Sequence, residues 1–184
     1  MTDSAKIRRA LAKLSGKKYR AKLYRTVLHQ DQEAILEIWP SQIHGWRFNP
    51  QGEFGALYLG DSPENCVRET FKHIPNVKVF LGRPRALGTL EVHLHKCLDL
   101  TDEDIMAELG VAQEVFLEEG SKEALWVARE ARKAGFEAIL YPSAIDSNSV
   151  NLALFRDCLH PQSSCVLIKI DLLSDKELAR IVQK

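Results

Sequence analysis

Residues 44–73 place three kinds of local structure next to one another. A loop rich in glycine, asparagine and proline comes first, and such residues favour turns. An apolar run at residues 56–59 follows and predicts a strand. Ser62 and Pro63 then predict the start of a helix, because a hydroxyl can cap the first turn and proline at the first helical position loses no hydrogen bond. The fold must therefore hold a loop, a strand and a helix as neighbours in space.

Each of these three elements carries a side chain suited to chemistry on an anionic sugar compound. Arg47 lies in the loop, Tyr58 in the strand and Glu69 in the helix. A guanidinium binds phosphate oxygens two at a time, and a carboxylate stabilises positive charge that develops on a sugar carbon. The residues alone also allow structural roles: Arg47 bonded to loop carbonyls, Tyr58 half-buried in its strand, and Glu69 paired with Lys72 or His73.

The stretch resembles the RES domain, the toxin component of bacterial toxin–antitoxin pairs. The family's Gly-Gly-Arg-Trp-Asn motif appears at residues 45–49, followed by Tyr58 and Glu69. Residues 141–144 and then Asn151 resemble the family's Pro-Ser-Ala motif and its downstream asparagine. The likeness covers roughly residues 22–172, and the ordered set is more specific than any single motif.

Two positions depart from the family pattern. Trp46 replaces the second glycine, and Phe155 stands where many members have a second asparagine. A glycine in a tight loop is often needed for positive φ. The backbone at Trp46 is therefore the first feature to inspect in a structure.

The resemblance implies a fold like that of ADP-ribosyltransferases and consumption of NAD as a substrate, with no separate cofactor. It implies catalytic roles for Arg47, Tyr58 and Glu69. It also implies a substrate-binding set outside that trio: Arg25, Asn49, Ser143 and Asn151. A cognate antitoxin with a helix-turn-helix domain is the expected partner, and a homo-oligomer stays open.

The chemistry of NAD cleavage is consistent with these residue types. Breaking the bond between nicotinamide and ribose builds positive charge on the ribosyl carbon, so a nearby carboxylate, here Glu69, lowers the barrier. Nicotinamide leaves as a neutral molecule and needs little acid catalysis. Ser143 lacks the GxSxG setting of an acyl-transfer nucleophile, which favours a role as a hydrogen-bond donor to the ligand. The Asn151 side-chain amide can form hydrogen bonds with either the ligand or the loop.

Composition limits the other classes of function. At 184 residues and 45% hydrophobic, the chain predicts one domain with a full core. Lys plus Arg equals Asp plus Glu at 25 each, so net charge does not favour nucleic acid or an acidic membrane. No apolar run approaches the roughly 20 residues that span a bilayer, and the first residues do not resemble a signal peptide. A cytoplasmic protein is expected.

Element patterns predict an α+β domain with a mixed, mostly antiparallel sheet flanked by helices. We expect a basic helical extension at residues 1–21 and the catalytic domain at 22–184. A near-continuous apolar run at 165–172 predicts a central strand. The predicted helices lie at 4–14, 32–39, 102–110 and 121–134, with a last helix capped at 174. The other predicted strands lie at 22–28, 77–82, 87–95, 136–141 and 150–155.

Three alternatives remain at this stage. An ADP-ribosyltransferase would use the same groove with a protein or nucleotide acceptor. An inert RES-like module would bind a partner through the basic segment at residues 6–25, which holds nine Lys and Arg. His93, His95, Cys158 and His160 suggest a zinc site only weakly, because their spacing lacks the usual ligand patterns.

Overall fold

The computed structural model describes residues 4–72, 82–117 and 120–182. The described helices are α1 (Ser4–Leu11), α2 (Trp39–His44), α3 (Pro63–Phe71), α4 (Glu103–Leu109), α5 (Lys122–Lys133) and α6 (Asp175–Val182). The described strands are β1 (Lys17–Leu28), β2 (Leu57–Gly60), β3 (Arg85–Asp99), β4 (Ala138–Pro142), β5 (Val150–Leu154) and β6 (Ser164–Leu173). Short 3-10 turns lie at His29–Ala34, Gln113–Phe116 and Arg156–Cys158.

The sheet is closed into a small barrel. Its strand order is β1-β2-β5-β4-β3-β6, and β1 also pairs with β3, which completes a ring of five strands. Only the pairing of β3 with β4 is parallel among the described strands. This architecture confirms the prediction of an α+β domain with a mixed, mostly antiparallel sheet.

The interior of the ring is filled by aliphatic side chains that alternate along the strands. One buried cluster takes a leucine from each strand of the ring: Leu23, Leu57, Leu90, Leu140 and Leu152. Every second residue of a strand lies on the same face of the sheet. The apolar side chains on the inner faces of the five strands therefore meet inside the barrel. The helices then pack on the outside of this frame.

Helix α1 belongs to the main body of the molecule. Ile7 and Leu11 are fully buried and join the same core cluster as Phe136. Strand β1 begins at Lys17, so the predicted boundary between residues 21 and 22 cuts through a strand. The fold shows no division at that point, because a strand paired over its whole length cannot belong to two separate units.

Several helix ends are where the capping residues predict them. The Ser62 hydroxyl accepts a hydrogen bond from the amide of Asn65 at 3.1 Å and begins α3. Ser174 and Glu177 form the predicted capping box before α6. The Ser174 hydroxyl accepts a hydrogen bond from the Glu177 amide at 3.3 Å, and the Ser174 amide donates to the Glu177 carboxylate at 2.9 Å. These signals are reliable because cap and helix are only a few residues apart.

Two element predictions are wrong. The predicted helix at 32–39 is absent: its first three residues end the 3-10 turn His29–Ala34, and Trp39 begins α2. Pro40 lies in the first turn of α2 instead of ending a helix, because proline is compatible with an N-terminal helical position. The apolar run at 165–172 is not a central strand: β6 is at the end of the sheet order. The strand predicted at 77–82 falls almost wholly outside the described residues.

Candidate active site

A cavity of about 670 Å³ opens beside the loop that precedes β2. Arg47, Tyr58, Glu69, Arg25 and Asn151 all line it, so the loop, strand and helix are neighbours as predicted. Among the lining residues the cations Arg25, Arg47, Lys72 and Arg85 outnumber the acids Asp31 and Glu69. Such an excess of positive charge attracts an anion.

Glu69 is directed into the cavity by the packing of α3. Cys66 and Val67 are buried on the inner side of this helix, and Glu69 projects beside them. Its Oε1 accepts three hydrogen bonds, from the Ser143 hydroxyl at 2.7 Å, the Asn151 amide at 2.9 Å and the backbone amide of Ala144 at 3.0 Å. The Lys72 ammonium lies 3.0 Å from Oε2. The carboxylate is therefore held in one orientation.

These donors keep Glu69 ionised. Burial by itself would raise the pKa of the Glu69 carboxyl, but the hydrogen bonds from Ser143, Lys72 and Asn151 and the charge of Lys72 together lower it below the ordinary value. A depressed pKa means that this group contributes stability above its unfolded-state pKa, and that the contribution is lost as pH falls through the folded-state pKa. The site therefore presents a carboxylate anion at neutral pH.

Replacing Lys72 with methionine should raise the pKa of Glu69, because burial is then opposed by fewer favourable interactions. The titration curve of the Glu69 carboxyl then moves to higher pH. The measurement is the side-chain carboxyl signal of Glu69 in a carbon NMR titration across acidic and neutral pH. Lys176→Met, at an exposed position of α6, is the matched control and should leave the titration curve in place. Coinciding curves for both variants would show that Lys72 does not control this ionisation.

Asn65 connects the parts of the site and was missed by the sequence patterns. It is buried, and its side-chain amide donates to Asn151 Oδ1 at 3.0 Å and to Asp61 Oδ1 at 3.0 Å. Its Oδ1 lies 2.8 Å from the Ser143 hydroxyl, whose single hydrogen is shared between Asn65 and Glu69. Asn65 therefore holds two of the side chains that hold Glu69. The available signal was its position four residues before Glu69, which places both on one face of a helix.

Arg47 is held in the loop between α2 and β2. Gly45 makes the turn with φ of 67°, and a side chain there would meet the backbone nitrogen of Gln51 at 2.7 Å. Among the described residues no position other than glycine has positive φ, so Trp46 does not need to be glycine. The departure from the family motif leaves this loop backbone unstrained.

The Arg47 guanidinium is buried but not fully bonded. Nη2 donates to the carbonyl of Leu117 at 3.0 Å, and the group lies 5.3 Å from the centre of the Tyr141 ring. Its Nε has no hydrogen-bond partner in the part of the chain that the structure describes. A buried donor without a partner is costly.

Tyr58 and Asn49 support the loop. The Tyr58 hydroxyl donates to Asn49 Oδ1 at 2.8 Å and accepts from the amide of Phe48 at 2.9 Å, while its ring lies 5.1 Å from that of Trp46. Asn49 is fully enclosed and donates to the carbonyls of Ser41 and Phe54. Asn49 does not line the cavity, and we propose a positioning role for it in place of the predicted contact with substrate.

The predicted binding residues Ser143 and Asn151 both contact Glu69. Ser143 is buried and does not line the cavity, whereas Asn151 does. Among the described residues, the side chains of Ser143 and Asn151 contact Glu69 and Asn65. We therefore propose that Ser143 positions Glu69 and does not contact the substrate. Asn151, which lines the cavity, is the residue of the two that we propose contacts a ligand.

Arg25 and Arg85 lie in another part of the same cavity. Arg25 donates to the carbonyls of Ile35 and Glu37 at 2.9 and 2.8 Å, and burial lowers its pKa to about 10, which leaves it charged at neutral pH. Arg85 donates to the Thr26 hydroxyl at 3.2 Å. Sequence patterns did not single out Arg85, because only the pairing of β1 with β3 brings it to the cavity.

Two of the histidines considered for zinc lie next to each other. His95 and His160 stack with ring centres 4.7 Å apart. Within residues 4–72, 82–117 and 120–182, no group of three His, Cys, Asp or Glu side chains is arranged to hold a metal. None of the helices in these residues has the length and hydrophobicity of a membrane span.

Comparisons with known proteins relate the chain to a known family. The family model described as the RES domain matches residues 22–173. A Mycobacterium tuberculosis protein named "Probable NAD(+) phosphorylase Rv3189" is 33% identical over 111 residues, which is 59% of this chain. The chain spans about half the length of that relative, 52%.

A solved structure has the same fold. The crystal structure of the M. tuberculosis MbcT-MbcA toxin–antitoxin complex contains a chain that superposes with a TM-score of 0.82 at 19% sequence identity, and the match covers 100% of both chains. At this identity the likeness shows the fold. It includes α1, in agreement with the packing of that helix on the core.

Proposed function

The chain belongs to the RES domain family, and on that premise we propose that it is a toxin that cleaves NAD at the bond between nicotinamide and ribose. NAD is the substrate in this reaction and not a resident cofactor. The acceptor is water or inorganic phosphate. The name of the mycobacterial relative, a probable NAD(+) phosphorylase, supports phosphate.

The observation that carries this proposal is the state of Glu69. Its pKa is lowered despite burial, and three donors orient Oε1. Among the described residues Oε2 accepts from Lys72 alone, so it retains a lone pair for a ribose hydroxyl. A preorganised anion next to the ribose stabilises the positive charge of the transition state without first reorganising.

The remaining cavity residues suit the other parts of a dinucleotide. The diphosphate carries two negative charges, and Arg47, which lines the cavity, has the planar guanidinium fork that binds phosphate oxygens in pairs. The rings of Tyr58 and Trp46 form one wall, where the flat nicotinamide ring can stack. Trp39, half exposed at the cavity, provides a second aromatic surface for a base.

Incubation of the purified chain with NAD tests the proposal. Released nicotinamide, measured by chromatography with and without phosphate, is the expected result, and mass spectrometry of the second product identifies the acceptor. Free ADP-ribose indicates hydrolysis and phosphorylated ADP-ribose indicates phosphorolysis. A protein or nucleotide that gains the mass of ADP-ribose would favour the transferase alternative. No nicotinamide release from folded protein would favour the inert module.

Arg47→Lys should weaken NAD binding by about 1–3 kcal/mol, because a point charge replaces a planar fork with charge-assisted hydrogen bonds. Titration calorimetry in a Glu69→Gln background measures this affinity without consuming NAD. Arg8→Lys, at an exposed position of α1, is the control for the same chemical change. Equal affinities for the two variants would limit Arg47 to bonding the loop.

We also propose a protein partner that neutralises the activity by covering this cavity. The solved complex that shares the fold pairs a toxin with an antitoxin, which supports a cognate antitoxin; a helix-turn-helix domain in it is an expectation from the family resemblance. The cationic excess of the cavity favours an acidic or carboxylate-terminated insert.

NAD should compete with such a partner for the cavity. Arg47→Ala should weaken the binding of NAD and also the binding of the partner. Binding of the purified antitoxin to the chain, measured by biolayer interferometry at rising NAD concentration, gives the apparent affinity. A Glu69→Gln background prevents turnover. An affinity that stays constant in saturating NAD would place neutralisation elsewhere, and the basic segment at residues 6–25 would be tested next.

A further inference from the structure

Strand β6 exposes an apolar edge that neither the fold nor the proposed reaction uses. Four of its aliphatic side chains are accessible: Val166 (52%), Ile168 (55%), Ile170 (38%) and Leu172 (57%). β6 ends the sheet order and pairs with β3 on one side, and no described strand pairs with its other side. Soluble proteins usually protect a long edge strand with charge, proline or a covering segment. The exposed side chains leave this edge open to a second chain.

The shape of β6 indicates how a partner would contact it. Leu167 is opposite Leu90 but Lys169 is opposite Thr89, so Ile168 is an extra residue in a bulge. Because of this bulge, Val166 and Ile170 project from opposite faces of the sheet. A partner that packs on one face would cover only part of the exposed surface. A strand that adds to the edge contacts side chains on both faces.

The charges at the centre of β6 identify the added strand. Lys169 and Asp171 flank Ile170, and the Lys169 ammonium lies 2.7 Å from Asp171 Oδ1. When a second β6 runs antiparallel with its two-fold axis at Ile170, Lys169 of each copy is directly opposite Asp171 of the other. Ile168 is then opposite Leu172, and Ile170 is opposite its own copy. An isologous interface requires this kind of self-complementary pattern.

We infer that two copies of this chain form a dimer by antiparallel pairing of their β6 strands. The cross-strand ion pairs set the register, and the four aliphatic side chains supply buried apolar surface. Equal numbers of acidic and basic residues, 25 each, mean that net charge does not oppose association of identical chains. No β6 residue lines the cavity, so this interface and the proposed NAD chemistry can be tested independently.

Two opposite charge reversals test the pairing directly. Sedimentation velocity over a dilution series should show the purified chain with the mass of two copies, dissociating on dilution. Lys169→Asp places carboxylates opposite carboxylates, and Asp171→Lys places ammonium groups opposite ammonium groups. Each variant alone should raise the dimer dissociation constant at least about tenfold, because like charges directly opposite one another repel. An equimolar mixture should form a heterodimer with near-original affinity, because both cross-strand pairs then become complementary.

The equimolar mixture distinguishes contacts between two chains from contacts within one chain. Each single variant breaks the contact between Lys169 and Asp171 of the same chain, so recovery on mixing comes only from contacts between chains. Circular dichroism checks the fold, and hydrogen exchange of residues 164–173 in the original chain should slow with rising concentration. A monomeric original chain, single variants that remain fully dimeric, or a mixture that does not recover would each overturn the inference.

Discussion

Replacing Glu69 with glutamine is expected to lower NAD turnover about 100-fold to 1000-fold, the range for loss of one preorganised electrostatic group. The amide oxygen of glutamine can still accept from Ser143, Asn151 and the Ala144 amide, so the fold should remain intact. NAD binding should stay within a few-fold, because charge develops on the ribosyl carbon in the transition state and not in the bound substrate. Single-turnover kinetics with a separate binding titration measures both quantities.

Glu64→Gln is the matched control for this change. Glu64 is the other glutamate of α3, in its first turn, and is exposed, so the same chemical substitution there should leave turnover unchanged. Equal turnover in the two variants would contradict the catalytic assignment of Glu69. A large loss of NAD affinity in Glu69→Gln would instead indicate that the carboxylate mainly binds the ground state.

Asn65→Leu is expected to have the largest effect on stability. Leucine has a similar size but cannot replace the hydrogen bonds of the Asn65 amide, so buried Asn151 Oδ1 and the neighbouring Asp61 Oδ1 each lose a donor. Each buried group without a partner costs about 1–3 kcal/mol, and we expect a loss of about 2–4 kcal/mol in the free energy of unfolding. For a chain of this size, Tm should fall by about 5–15 °C.

The same substitution should also reduce turnover at temperatures where the variant is fully folded. Asn151 then has one fewer contact to hold it against Glu69, so the orientation of the carboxylate loosens. Glu64→Leu makes a polar-to-apolar change at the exposed neighbouring position and should alter neither Tm nor turnover appreciably. Thermal denaturation followed by circular dichroism, with NAD assays well below Tm, gives both results. Unchanged stability in Asn65→Leu would show that the network around Glu69 tolerates the loss of Asn65.

The sequence placed the three proposed catalytic residues close together but did not indicate the residues that support them. Arg47, Tyr58 and Glu69 were placed on loop, strand and helix, and all three line one cavity. They are separated by short connections, so local rules bring them together. Their supports come from distant positions: Asn65 bonds to Ser143 and Asn151 across the β2 and β5 pairing, and Arg85 reaches the cavity through β1 and β3. No local pattern encodes such contacts.

Features within one turn of helix or one strand were determined by the sequence itself. The caps at Ser62 and Ser174 and the apolar alternation of the strands involve atoms a few residues apart, and these formed as expected. Tertiary structure alone decided that β6 lies at an edge and that Asn49 is enclosed. An apolar strand has the same composition at the centre of a sheet as at its edge, and an amide has the same donors in a cavity as in a loop. Only the pairing of distant strands determines which surface each one meets.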